Sequence, residues 1–235
     1  MFGSEQSTIT LSLYAVLPAI IILFYVYKRD YFPEPPRIVF ITLLLGAGIS
    51  FPLMLLIPFF EGYLETLNFG VESNHFYMSF IRAAFLEETL KFLIIIYYCL
   101  YLDEFNEPMD GIVYGVIASL GFALVENIVY VFLYADPGQE MSVGILRMFT
   151  AIPAHALMGV IMGYYVGKAK FDIDNRKTLL LKGLFGAILL HGLYNYLLLS
   201  KAGLGIFAII SLVVAYRFAK RAINESLDSS PFKNI

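Results

Sequence analysis

Four apolar stretches of the chain carry residues that could do chemistry: Glu87, Glu88 and Lys91 in the first, Glu126 and Asn127 in the second, His155 in the third, His191 and Asn195 in the fourth. An ionisable group at membrane depth costs on the order of 2.5 to 3.5 kcal/mol on insertion scales, so each needs a partner, a cavity or a task. Carboxylates and imidazoles around one point suit hydrolysis in two versions. In the first, His155, His191 and Glu126 bind Zn2+ with one position open, while Glu87 or Glu88 takes a proton from water; two histidines and a glutamate form a known catalytic zinc set. In the second, without metal, a carboxylate activates water while a histidine or Asn195 polarises the scissile carbonyl and holds the oxyanion. No H-E-x-x-H run occurs in the sequence, and both versions stay open. Ser119 and Cys99 have no evident base beside them, which makes a serine or cysteine nucleophile the weaker idea.

Spacing sharpens the set. Glu87 and Glu88 stand four and three residues before Lys91, so the ammonium can neutralise a carboxylate on its own helical face. Neighbouring residues point about 100° apart around a helix, so one glutamate is expected to face a cavity while the other pairs with Lys91 or a neighbouring helix. His191 and Asn195 share a face, as do Phe122 and Glu126, where the ring could cover the carboxylate. Taken singly, each residue has a plainer account. Glu88 with Lys91 is equally well a structural ion pair, a lone histidine is better read as an interhelical hydrogen bond, and Phe122 as core. Arg82 and Arg147 read as side chains reaching to the membrane interface, either of which could also stabilise an oxyanion. Asp110, Tyr114 and Tyr130 read as helix-end or lining residues. The joint arrangement says more. Counted from the same end of their segments, Glu87 lies 7 residues in and Glu126, His155 and His191 lie 8 in. At about 1.5 Å per residue all four fall roughly 10 to 12 Å deep.

The elements that must position these groups are membrane helices. Of the 235 residues 59% are hydrophobic and 15% charged, against about 25% charged for an ordinary soluble domain. Seven windows are long and apolar enough to cross a hydrocarbon core about 30 Å thick: residues 9–27, 38–60, 80–102, 111–134, 147–166, 178–199 and, shortest, 204–218. The sequence predicts an all-α, polytopic helical bundle in one domain, residues 1–235, with a motif-bearing core at about 80–196 and a cytoplasmic tail at 222–235. Alternate loops hold Lys28, Arg29 and Arg37, then Lys168, Lys170, Arg176, Lys177 and Lys182, then Arg217, Lys220, Arg221 and Lys233; Lys201 is the exception in the intervening loops. Basic loops favour the cytoplasm, so the N-terminus is expected outside and the C-terminus inside. Residues 1 to 8 carry no lysine or arginine, so the first span is expected to stay rather than to be cleaved as a signal peptide. Gly111 and Gly115 on one span and Gly159, Gly163 and Gly167 on another are spaced for close helix packing. The lone Cys99 offers no disulfide and reads as packing. A net charge of -3 with no basic stripe argues against a nucleic-acid partner; the oligomeric state is not legible.

At these residues the sequence resembles the PrsW family of intramembrane proteases. The resemblance is carried by Glu87-Glu88-Thr89-Leu90-Lys91, by Phe122 to Glu126 with Asn127, by Pro153-Ala154-His155-Ala156 and by His191 to Asn195, with Asp110 to Gly115 as a further match. It covers about residues 80 to 196; the first two spans and the tail match only in hydrophobicity. The resemblance implies a glutamate-dependent protease of the cell membrane that cleaves anti-sigma factors, with Glu87, Glu88, Glu126 and His155 or His191 in the site. Asn195 stands where an aspartate is expected in many members, a departure that favours the metal-free version or an orienting role. The same superfamily holds prenyl-protein CAAX endopeptidases and a non-catalytic scaffold. The expectation is cleavage of a single-span membrane protein within the lipid bilayer, near its extracytoplasmic side. The rivals are a transporter or ion pathway, against which no inverted repeat is visible, a scaffold, and a CAAX-type protease.

Overall fold

The computed structural model describes residues 2–200 and 204–234, with side chains from Thr8 onward; Lys201 lies outside the described residues. Helices α1 (Phe2–Arg29), α2 (Pro36–Gly48) and α3 (Ser50–Thr66) come first. Helix α4 (Val71–Phe76) runs through a π-helical stretch, Tyr77–Phe85, into α5 (Leu86–Tyr97). Helices α6 (Pro108–Val129), α7 (Glu140–Phe149), α8 (Ala151–Phe171), α9 (Arg176–Leu199) and α10 (Gly205–Asp228) complete the order. No strand occurs among the described residues.

Five helical segments are long and apolar enough to cross a membrane: Thr8–Arg29, Pro36–Thr66, Pro108–Tyr134, Glu140–Phe171 and Arg176–Leu199. The second is α2 and α3 joined through Ile49, and the fourth is α7 and α8 joined through Thr150, whose φ of -123° and ψ of -65° bend the segment. The two remaining expected spans form long helices that are too charged for that count. One carries Arg82, Glu87, Glu88 and Lys91, the other Arg217, Lys220 and Arg221.

Helix α6 is the axis of the bundle, with every residue from Met109 to Ala123 buried. It can be central because its glycines let other backbones touch it. A Cβ at Gly111 would stand 2.6 Å from the Gly167 Cα, and one at Gly159 would stand 2.6 Å from the Gly115 carbonyl oxygen, so α6 and α8 meet backbone to backbone. Helix α2 packs on another face of α6, α9 packs on α8 and on the π-helical stretch, α1 closes over α6 and α7, and α10 lies against α8 and α9. At the start of α6, Pro108 supplies the first-turn residue and Asp110 Oδ2 accepts hydrogen bonds from the Asn106 and Glu107 amides at 2.7 and 2.8 Å. The exterior is apolar: Phe24, Phe40, Phe51, Phe59, Phe185, Leu189 and Val214 are all exposed, a surface that lipid rather than water suits.

Candidate active site

The rod formed by α4, the π-helical stretch and α5 carries Arg82, Glu87, Glu88 and Lys91, and its middle lies against α6, α8 and α9. A π-helical turn shifts the register of everything after it, and such turns recur at functional sites. Beyond this one, Glu87, Glu88 and Lys91 are buried, with Glu88 and Lys91 at 0% exposure.

Lys91 is the hub. Its Nζ is 2.7 Å from Glu88 Oε1, 3.7 Å from Glu87 Oε2 and 3.2 Å from His155 Nδ1, and it lies 4.4 Å from the centre of the Phe122 ring. An ammonium is a donor only, so His155 Nδ1 must accept; its Nε2 then carries the proton and donates to Glu126 Oε2 at 3.0 Å. The same logic applies to His191. Its Nδ1 lies 2.8 Å from Glu88 Oε1, an acceptor when ionised, so Nδ1 donates and Nε2 keeps its lone pair; Nε2 stands 3.8 Å from Glu87 Oε2. The same Glu126 oxygen also accepts from Arg147, whose Nη2 donates to Oε2 at 2.6 Å while its Nε donates to Asn127 Oδ1 at 2.6 Å. The Arg147 guanidinium also lies over the Tyr130 ring at 3.9 Å, and Asn127 Nδ2 donates to the Ala15 carbonyl at 3.1 Å, tying α1, α6 and α7 together. The two imidazole rings meet edge to face, 5.4 Å between centres.

These groups border a cavity of about 350 Å³ lined by Glu87, Glu126, Arg147, His155, His191 and Asn195, among others. The four helical segments expected to meet do meet around this cavity. Of the two adjacent glutamates, Glu87 lines the cavity, and Glu88 is held behind it by Lys91 and His191. Asn195 is half-buried on the cavity wall one turn beyond His191. Phe122 packs its face toward Lys91 and its edge toward His155, not over Glu126. Of the two arginines, Arg147 pairs with Glu126, and Arg82 Nη2 pairs with Glu61 Oε1 at 3.0 Å. Thr150 and Tyr194 also line the cavity and carry no signal in the sequence beyond their place on the same helices.

The residues placed to hold a metal ion differ from the expected trio. Glu87, Glu88, His155 and His191 can each offer one atom, all within 4.8 Å of one another, whereas Glu126 is engaged by Arg147 and His155. The Oε2 atoms of both Glu87 and Glu88 are buried without a hydrogen-bond partner. Two imidazoles with carboxylates are donors of the kind zinc takes, so the residues fit such an ion. Using His155 Nδ1 would require Lys91 to withdraw from it.

No solved structure matches the chain. Among curated relatives, Protease PrsW of Bacillus subtilis (strain 168) is 36% identical over 208 residues, 88% of this chain and 90% of the relative. Protease PrsW of Geobacillus kaustophilus (strain HTA426) is 34% identical over 212 residues, 90% and 89% of the two chains. Protease PrsW of Halalkalibacterium halodurans is 39% identical over 186 residues, 79% and 81% of the two chains. The description PrsW family intramembrane metalloprotease matches residues 34–219, a stretch containing every residue that lines the cavity. With four helices bringing glutamates and histidines to one buried cavity, and with near full-length similarity of this order, the chain belongs to the PrsW family of intramembrane proteases.

Proposed function

We propose that this membrane hydrolase cleaves a single-span membrane protein, of the anti-sigma-factor class, near its extracytoplasmic side, with Glu87 activating the attacking water. The observation that carries this reading is Glu87 on the cavity wall, its Oε2 without a hydrogen-bond partner, 3.7 Å from Lys91 Nζ and 3.8 Å from His191 Nε2. A carboxylate placed so can take the proton of a water held between it and the imidazole. Glu88 orients His191 through the Nδ1 hydrogen bond and is itself neutralised by Lys91, so the pair fixes which imidazole nitrogen is free. Asn195, on the wall beyond His191, is suited to hold the carbonyl of the peptide bond, and Arg147 to balance negative charge developing near Glu126. When bound, a zinc ion held by Glu88 and the two histidines would supply Lewis acidity, making water more acidic and the scissile carbonyl more electrophilic, with Glu87 left to take the proton. The basic loops at one end of the bundle favour seven spans with the N-terminus outside, which sets the cavity toward the extracytoplasmic half.

The test is cleavage of a tagged single-span anti-sigma factor by purified protein in liposomes. Glu87→Gln, Glu88→Gln, Glu126→Gln and His191→Ala are each expected to lower the rate at least about a hundredfold while the protein remains folded in the membrane. Full cleavage by all four would overturn the assignment. Elemental analysis of the active preparation, paired with chelation, separates the two chemistries: about one equivalent of zinc and activity lost on its removal supports the metal version.

A further inference from the structure

At the other end of α6 lies a second group of buried carboxylates. Asp30 and Glu34, in the connection between α1 and α2, meet Glu107 and Asp110 at the start of α6, and all four are 6% exposed or less. Asp30, Glu107 and Asp110 can each present an oxygen within 4.8 Å of the others, and Glu34 lies next to Asp30 and Asp110. This group is separate from the catalytic cavity: Glu126 is sixteen residues beyond Asp110 along the same helix, about 24 Å at 1.5 Å per residue.

Few of these oxygens have work within the protein. Asp30 Oδ1 accepts weakly from the Phe32 amide at 3.3 Å and Asp110 Oδ2 accepts the two amides at the helix start. The other six carboxylate oxygens, Asp30 Oδ2, Asp110 Oδ1 and both of Glu34 and of Glu107, are buried without a partner. The Tyr114 hydroxyl is the independent sign. It is fully buried, lies beside Glu34 and also lacks a partner, so a neutral oxygen is turned into the same space. Among the described residues no lysine, arginine or histidine forms an ion pair with any of the four acids. Burial beside other carboxylates pushes Asp30 up to about 8 and Glu34 up to about 7. Ionised carboxylates buried in this way are costly unless paired, protonated or bound to a cation.

We propose that Asp30, Glu34, Glu107 and Asp110, with the Tyr114 hydroxyl, form a structural site for a hard divalent cation, Ca2+ or Mg2+, that pins the α1–α2 connection to the start of α6. The donors are all oxygen, the ligand set of these ions and not of the nitrogen-containing catalytic group. The site would hold the central helix in place without taking part in hydrolysis, so its failure leaves the protease reading untouched.

The test uses the full chain in detergent, stripped with EDTA and then given Ca2+ or Mg2+ alone. At a hundredfold excess over Kd the thermal midpoint is expected to rise by about 5 to 10 °C. Tb3+, a Ca2+ surrogate, is expected to give tyrosine-sensitised emission that Ca2+ displaces. Both responses should be lost in Glu107→Gln and kept in Glu87→Gln. Glu34→Gln serves as a second variant should Glu107→Gln fail to fold, and the wild-type Tb3+ signal is read independently of either. A wild-type protein with no cation-dependent shift and no displaceable emission, or responses lost in Glu87→Gln and kept in Glu107→Gln, would overturn the proposal.

Discussion

Lys91 shows how one side chain sets the chemistry of several others. Its ammonium contacts Glu88 and His155 and comes within 3.7 Å of Glu87, so it fixes a histidine tautomer as well as a charge. Replacing it by Met keeps the volume and removes the cation, leaving Glu88 buried with only His191 to hydrogen-bond it. Lys91→Met is therefore expected to lose about 3 to 5 kcal/mol of stability, measured by unfolding in detergent, and to lose cleavage as well. A variant as stable as the wild type would show that Glu88 does not depend on Lys91. Arg147 is a contrasting case. At the end of a predicted span it reads as an interface residue, and only the bend at Thr150 brings it onto Glu126.

At the level of elements, the decisive contact is α6 against α8. A Cβ at Gly163 would stand 2.7 Å from the Ile112 Cα, with backbone on both sides and no flexible side chain to yield. Gly163→Leu is expected to separate the two helices and cost at least about 1 to 3 kcal/mol. Because His155 rides on α8 and Glu126 on α6, cleavage should fall along with the thermal midpoint. Gly138→Ala, at a loop position with open space around it but a φ of +88°, is expected to leave cleavage intact and to cost stability only through the backbone. Measured side by side, the two substitutions separate helix approach from local strain; equal loss of activity in both would count against the packing argument.

For the whole molecule, the open question is which end faces which compartment. Lys168 and Lys170 in the last turn of α8, with Arg176 and Lys177 in the first turn of α9, lie at the end of the bundle opposite the cavity. The orientation argued above places Glu65 outside and Asp174 inside. In a Cys99→Ala background, Glu65→Cys is expected to react with a membrane-impermeant thiol reagent in intact cells, and Asp174→Cys only after the membrane is opened. The reverse pattern would invert the bundle and put the cavity in the cytoplasmic half. Both positions are exposed, so labelling reports the side and not burial.

The all-helical membrane class and the four polar segments were legible in the sequence alone, because hydropathy and the cost of a buried charge are local properties of a stretch of chain. The sequence also marked the glycines of α6 and α8, since spacing of small residues is local too. Partner choice was decided only in three dimensions. That Glu88 rather than Glu87 takes Lys91 and His191, that Arg147 holds Glu126, and that Asp30 and Glu34 come to rest on Glu107 and Asp110 all depend on helix rotation and on bends at a π-helical stretch and at Thr150. A rotation of one residue moves a side chain by about 100°, enough to exchange one partner for another, and no periodicity in a single chain records it.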